Sequence, residues 1–185
     1  MQINERRIKM KTRVVALLLL FALALCAVSC AGKINDIDVC AAGAEIKTRF
    51  VPDGAGYIYR SHGAEGDAGW ELDAEEFASY YGDAAGSPDF SKIADYYLYI
   101  DETAPTKPCE YALIKLADEE YAETLTEFLR ARVDLKLENA KSYPDVDTSA
   151  LKNAVFGTKG AYVWYIAVKG GAADIDSLIL KKLKG

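Results

Sequence analysis

Tyr96-Tyr97-Leu98-Tyr99-Ile100 and Tyr111-Ala112-Leu113-Ile114-Lys115-Leu116 are the two runs that decide the fold. Both are short and rich in aromatic and branched residues, and a turn region with Pro105 and Pro108 separates them, which predicts two neighbouring antiparallel strands. Asp118 then caps a long helix through about Lys141, with Tyr121, Leu125, Phe128 and the Arg132 stem on one stripe, widened by Ala122, Leu129 and Val133. Tyr143-Pro144 breaks that helix. Leu151 to Phe156 and Tyr162 to Val168 predict a hairpin turned at Gly157 to Gly160, and Ala172 to Leu183 a closing helix with Ile175, Ile179 and Leu183 in register. The order β-β-α-β-β-α predicts an α+β fold, a small antiparallel sheet with helices on one face.

Upstream, the pattern is helical. Val39, Ala42, Ile46 and Phe50 share a face behind the capping candidates Asp36 and Asp38, and Pro52 stops the run. Asp53 to Gly69 is rich in glycine, with Tyr57-Ile58-Tyr59 as its one short strand candidate. Asp73 and Glu76 form a capping box for a second helix that Gly82 ends, and Phe90 to Ala94 predicts a helical turn before the sheet.

The first thirty residues carry a different kind of information. Fifteen apolar residues run from Val14 to Val28, after Arg6, Arg7, Lys9, Lys11 and Arg13 and before the small residues Ser29, Cys30, Ala31 and Gly32. That is the pattern of a secretory signal peptide. As a helix the run would reach roughly 22 Å, short of the ~30 Å hydrocarbon core, so a lasting transmembrane anchor is the weaker reading. Ala27-Val28-Ser29-Cys30 looks like a bacterial lipobox, which makes Cys30 the candidate for acylation; Cys26 fits worse because bulky Leu25 precedes it. Ordinary cleavage after Ser29 is the alternative and would release a soluble secreted protein. The expected layout is a lipoprotein signal peptide over 1–29, a tether over 30–35, a helical and loop portion over 36–92 and an α+β domain over 93–185.

Removal of residues 1–29 leaves 17 basic and 27 acidic residues, a net charge of −10. So acidic a chain repels phosphate backbones, and no dense basic cluster overrides this, so nucleic acid is excluded as an expected partner. Cys40 and Cys109 are the two cysteines left beside Cys30, and outside the cytoplasm a disulfide between them is chemically permitted. Burial of both as small apolar residues is the competing reading.

The second half resembles a domain of unknown function found at the C-terminus of small Gram-positive lipoproteins. The residues that carry the resemblance are Glu110-Tyr111-Ala112-Leu113-Ile114-Lys115, the Asp118 helix, the Tyr143-Pro144 break, Asn153-Ala154-Val155 and Gly160-x-Tyr162-Val163, within Ile93 to Leu183. The resemblance implies lipoprotein processing and an α+β domain. It implies no activity and no catalytic residues.

Motifs for chemistry are sparse. His62 is the single histidine, so a multi-histidine zinc site is excluded and a Cys–His pair requires His62 to meet Cys40 or Cys109; its neighbours Ser61 and Gly63 point to a solvated loop. Asp36/Asp38, Asp145/Asp147 and Asp174/Asp176 fall at helix starts or turns, where caps account for them better than cation ligands. No metal and no cofactor is expected. Alternation places Tyr97 with Tyr99, and Tyr162 with Trp164, on common sheet faces as a candidate aromatic surface. The expected function is therefore a lipid-anchored, extracytoplasmic binding or interaction module on the outer face of the cytoplasmic membrane, its partners the bilayer through acylated Cys30 and an envelope protein or small ligand. The alternative is an enzyme acting on envelope material through Glu110 with Asp118, or through Cys109.

Overall fold

In the computed structural model, which describes residues 33–63, 69–84, 86–101 and 108–184, the chain from Ile34 to Lys184 forms one unit. Asp38 accepts the Ala41 amide at 2.8 Å and starts α1, Val39–Phe50. Past Pro52 the chain enters β1, Tyr57–Arg60. Asp73 and Glu76 close the expected capping box and start α2, Ala74–Tyr81. A single 3₁₀ turn at Phe90–Lys92 leads into β2, Ile93–Asp101, and β3 follows at Cys109–Leu116. Asp118 caps a 3₁₀ turn, Glu119–Tyr121, that opens into α3, Ala122–Ala140. The short α4, Ser149–Lys152, precedes β4, Val155–Lys159, and β5, Tyr162–Ala167; α5, Ala172–Lys182, closes the unit.

The sheet is antiparallel throughout, in the order β1-β2-β3-β5-β4. Because β5 lies between β3 and β4, those two run parallel, and the connection between them has to cross a sheet face. α3 makes that crossing, with Leu125, Leu129 and Val133 buried in the same cluster as Leu98, Ile114 and Tyr165.

The α+β class and antiparallel sheet are as expected, but the helices do not sit on one face. Tyr97, Tyr99, Tyr111, Leu113, Tyr162, Trp164 and Ile166 pack with Val39, Ile46, Ile175 and Ile179 of α1 and α5. The alternate residues Tyr96, Leu98, Ala112, Ile114, Val163 and Tyr165 pack with α2, α3 and α4. The reason lies in β3 and β5, where nearly every residue is apolar, so neither face can be left to water. The portion over 36–92 is likewise no separate layer. It supplies edge strand β1, within the glycine-rich stretch, and α1, which lies on β2 and β3.

The last hairpin also differs from expectation. Leu151 belongs to α4, and β4 continues through Gly157 to Lys159, so the turn shrinks to Gly160-Ala161, where Gly160 has φ 55°. Gly157 is a strand residue placed opposite Trp164, and a Cβ there would collide with the indole atoms Cε2 and Cζ2. Glycine here admits the tryptophan rather than turning the chain. Among the described residues no helix is long and apolar enough to cross a membrane.

Gly157→Ala is expected to destabilise the protein by about 1–3 kcal/mol through this overpacking, read as a lower urea midpoint at unchanged slope. A midpoint equal to wild type would show that the ring has room to move.

Candidate functional site

The tyrosines and tryptophan expected to form an aromatic surface are core residues. Tyr97, Tyr99, Tyr162 and Trp164 are all nearly inaccessible to solvent, because α1 and α5 cover the face they share. The Tyr97 and Tyr111 rings stack at 6.0 Å and Tyr99 stacks on Tyr111 at 5.7 Å. Their polar atoms are satisfied locally. Tyr111 donates to the Gly43 carbonyl at 2.8 Å, Tyr162 to Asp36 Oδ1 at 2.6 Å, and Trp164 Nε1–H to Asp176 Oδ1 at 2.8 Å. Exposed aromatic surface lies instead at the sheet edge, where Trp70, 58% exposed, is 5.8 Å from Tyr57 and 6.3 Å from Tyr59.

Cys40 and Cys109 are both free thiols. Cys40 Sγ lies 3.5 Å from the Tyr96 carbonyl, whereas Cys109 pairs with Asp101, five residues further along β2. At ~3.4 Å per residue that offset is roughly 17 Å, far beyond the ~6 Å Cα span of a disulfide, so the sheet register forbids the bridge that the compartment would permit. Cys30 lies outside the described residues.

Glu110, proposed as an acid–base group, is held in a different role. Its carboxylate is fully buried and receives Arg132 Nε at 3.2 Å, Arg132 Nη2 at 2.8 Å and Lys136 Nζ at 2.6 Å. Arg132 also donates to the Tyr80 carbonyl at 2.9 Å, with its guanidinium 5.3 Å from the ring centres of Tyr80 and Tyr81. Burial raises the Glu110 pKa, but the charges and hydrogen bonds of Arg132 and Lys136 outweigh it and hold the group below its ordinary value. Asp118 is elsewhere, capping Glu120 and 3.2 Å from Lys92 Nζ beyond the far end of β3, more than roughly 20 Å of strand away. Cys109 is half-buried, and burial, then Asp101 and Glu110, push its thiol up to about 11, so it is not a thiolate at neutral pH. The residues expected to make an enzyme do not converge.

Next to this network the surface is concave. A groove of about 550 Å³ runs between Asp101, Pro108, Lys136, Tyr143, Pro144 and Leu151. That is the volume of a small-molecule site, its walls mainly apolar, and its one amino group is already committed to Glu110.

A second grouping brings His62 to Cys40, the approach that sequence reasoning named and set aside in favour of a solvated loop, and adds Asp38 and Asp95, which it did not join to them. Ser61 continues past β1 alongside β2, its amide bonded to the Tyr96 carbonyl at 3.1 Å, which sets the next residue, His62, over the start of α1. A register shift between Ile93 and Asp95 interrupts the β2–β3 ladder at the same level. The donor atoms of Asp38, Cys40 and His62 lie within 4.8 Å of one another, and Asp95 Oδ2 is 3.4 Å from His62 Nε2. Asp95 Oδ1 is 3.7 Å from Cys40 Sγ and is hydrogen-bonded by Ser61 Oγ. His62 is exposed, as expected for a loop, but it faces the cysteine. Burial is the main cause that raises the Cys40 pKa, with Asp95 adding to it; hydrogen bonds from the His62 amide and from Ser61 oppose without prevailing. Asp38-x-Cys40 at a helix start was the one local signal, while His62 and Asp95 lie 22 and 55 residues from Cys40 and no spacing rule joins them.

No protein-family model, curated protein or solved structure matches the chain.

Glu110→Gln is expected to cost about 3–5 kcal/mol near pH 7, because Arg132 stays buried without its counter-charge. The folded pKa of Glu110 is depressed, so its contribution is fully present above the unfolded value of about 4.3 and is lost as pH falls through the folded value. Urea melts of both proteins should therefore converge as pH drops below about 4; a gap unchanged down to pH 2 would contradict the ionised network.

Proposed function

We propose that this protein is a lipoprotein tethered to the outer face of the cytoplasmic membrane through acylated Cys30, and that its folded unit is a non-enzymatic binding module. The observation that carries this reading is where the folded unit begins. Ile34 forms a bridge with Lys184, and Asn35 Nδ2 donates to the carbonyls of Lys182 at 3.2 Å and Lys184 at 2.7 Å. These contacts pin the chain four residues after the lipobox cysteine, so Ala31, Gly32 and Lys33 are all that separates the proposed lipid attachment from the fold. Two acyl chains on one cysteine are sufficient for stable attachment without a polybasic patch, which an acidic chain of this composition lacks.

Binding rather than catalysis is favoured by the chemistry of the groove. Its walls are mainly apolar, Lys136 is engaged with Glu110, and Cys109, one residue after the lining Pro108, carries a thiol whose proton is held tightly. The exposed Trp70 and Tyr57 add an aromatic contact surface at the sheet edge. The resemblance of Ile93 to Leu183 to a domain of small Gram-positive lipoproteins agrees with this reading and adds no activity to it.

Labelling cells with radioactive palmitate, followed by membrane fractionation, tests the tether. Wild type should carry label and sediment with membranes, while Cys30→Ser should lose the label and the membrane association. Equal labelling in the two proteins would overturn the assignment of Cys30.

A further inference from the structure

Asp38, Cys40, His62 and Asp95 bring a thiol, an imidazole and two carboxylates to one corner of the fold. A tetrahedral site with bonds of roughly 2.0–2.3 Å sets its donor atoms about 3.3–3.7 Å apart. Here His62 Nε2 and Asp95 Oδ2 are 3.4 Å apart, Cys40 Sγ and Asp95 Oδ1 3.7 Å, and His62 Nε2 and Asp38 Oδ1 4.0 Å. The Asp38, Cys40 and His62 donors all lie within 4.8 Å of one another, about 1 Å beyond that spacing, and Asp95 borders the group with Oδ2 toward His62 and Oδ1 toward Cys40. The donors with room to adjust are those at the surface, His62 and Asp38 at 55% and 57% exposed, whereas Asp95, at 15%, and buried Cys40 are fixed.

A Cys–His nucleophile is the other chemistry this pair could serve, and the surroundings oppose it. A nucleophilic cysteine needs an accessible thiolate, yet Cys40 is buried and the Asp95 carboxylate, 3.7 Å from its sulfur, repels a second negative charge. A divalent cation reverses that balance, because its charge turns the same carboxylates from repulsive neighbours into ligands. The helix start contributes in the same sense. Cys40 is the second residue of α1, where the positive end of the helix dipole favours a negative sulfur.

The donor set also selects the cation. Ca²⁺ and Mg²⁺ take oxygen ligands, whereas thiolate with imidazole suits Zn²⁺ and its neighbours in the first transition row. We propose that Asp38, Cys40, His62 and Asp95 form a binding site for one divalent transition-metal ion of the Zn²⁺ class. On binding, the Cys40 S–H bond breaks, a sulfur–metal bond forms and the proton passes to solvent. Asp38 Oδ1, the oxygen that accepts the Ala41 amide and lies nearest His62, offers its remaining lone pair to the cation, and Ser61 holds Asp95 in place through the hydrogen bond already formed. The site is independent of the lipid tether and stands whether or not Cys30 is acylated.

Co²⁺ titration of the full chain in detergent, under reducing conditions, reads the site directly. Wild type should take up one Co²⁺ with a thiolate-to-metal charge-transfer band and the intense visible bands of tetrahedral Co²⁺, both removed when Zn²⁺ is added. Cys40→Ser should lose the charge-transfer band, and Cys109→Ser should keep it. His62→Ala changes an exposed side chain, so it should melt like wild type without metal yet bind Co²⁺ at least about tenfold more weakly. Absence of the band in wild type, its persistence in Cys40→Ser, or unchanged affinity in a folded His62→Ala would each overturn the proposal.

Discussion

β3 and β5 are apolar on both faces, and this single constraint organises the rest of the structure. An antiparallel sheet with one wet face needs only one layer of helices, but a strand such as Tyr162–Ala167, buried at every position, needs two. α2, α3 and α4 supply the first layer, α1 and α5 the second. The second layer draws on residues at both ends of the unit, which is why Asn35 is tied to the last turn of α5 and why the segment before β2 cannot be a detached appendage. Gly43 shows how closely the layers approach, for a Cβ on that turn of α1 would collide with the Tyr97 ring beneath it.

Within that two-sided core lies one ion network, and it fixes α3 against β3. Glu110 would be costly to bury alone, and Arg132 offers it a bidentate partner whose remaining nitrogen reaches the Tyr80 carbonyl. Lys136, one helical turn on, takes the same carboxylate from the solvent side. The position of the carboxylate thus demands two adjacent turns of α3, and the second of them, from Lys136 on through Asn139 and Ala140, forms a wall of the groove. A residue that looked like an acid–base candidate is instead a structural support beside the proposed ligand surface.

The proposed tether and the proposed metal site are linked through the start of α1. Asp36 accepts from Lys115 and Tyr162, locking the chain to β3 and β5 just before Asp38 turns toward His62. Asp38 is eight residues after Cys30, a span of at most about 28 Å even when extended.

The chain's local patterns were enough for much of this. The Asp36/Asp38 pair, Asp73 and Asp118 announced three helix starts because a cap needs only its own backbone neighbours, and the β2, β3 and β5 runs declared themselves by composition. The signal pattern from Val14 to Cys30 is likewise a property of consecutive residues. What alternation along a strand could not say is which face would be covered, because that depends on the docking of helices, among them α1, more than fifty residues before β3. The same limit hid the reason for Gly157, which lies in the Trp164 ring across the ladder, and the separation of Cys40 from Cys109, which follows from register. It also hid the approach of His62 and Asp95 to Cys40. Those contacts arise from strand pairing and a register shift in β2, and only the tertiary structure turns such distant donors into neighbours.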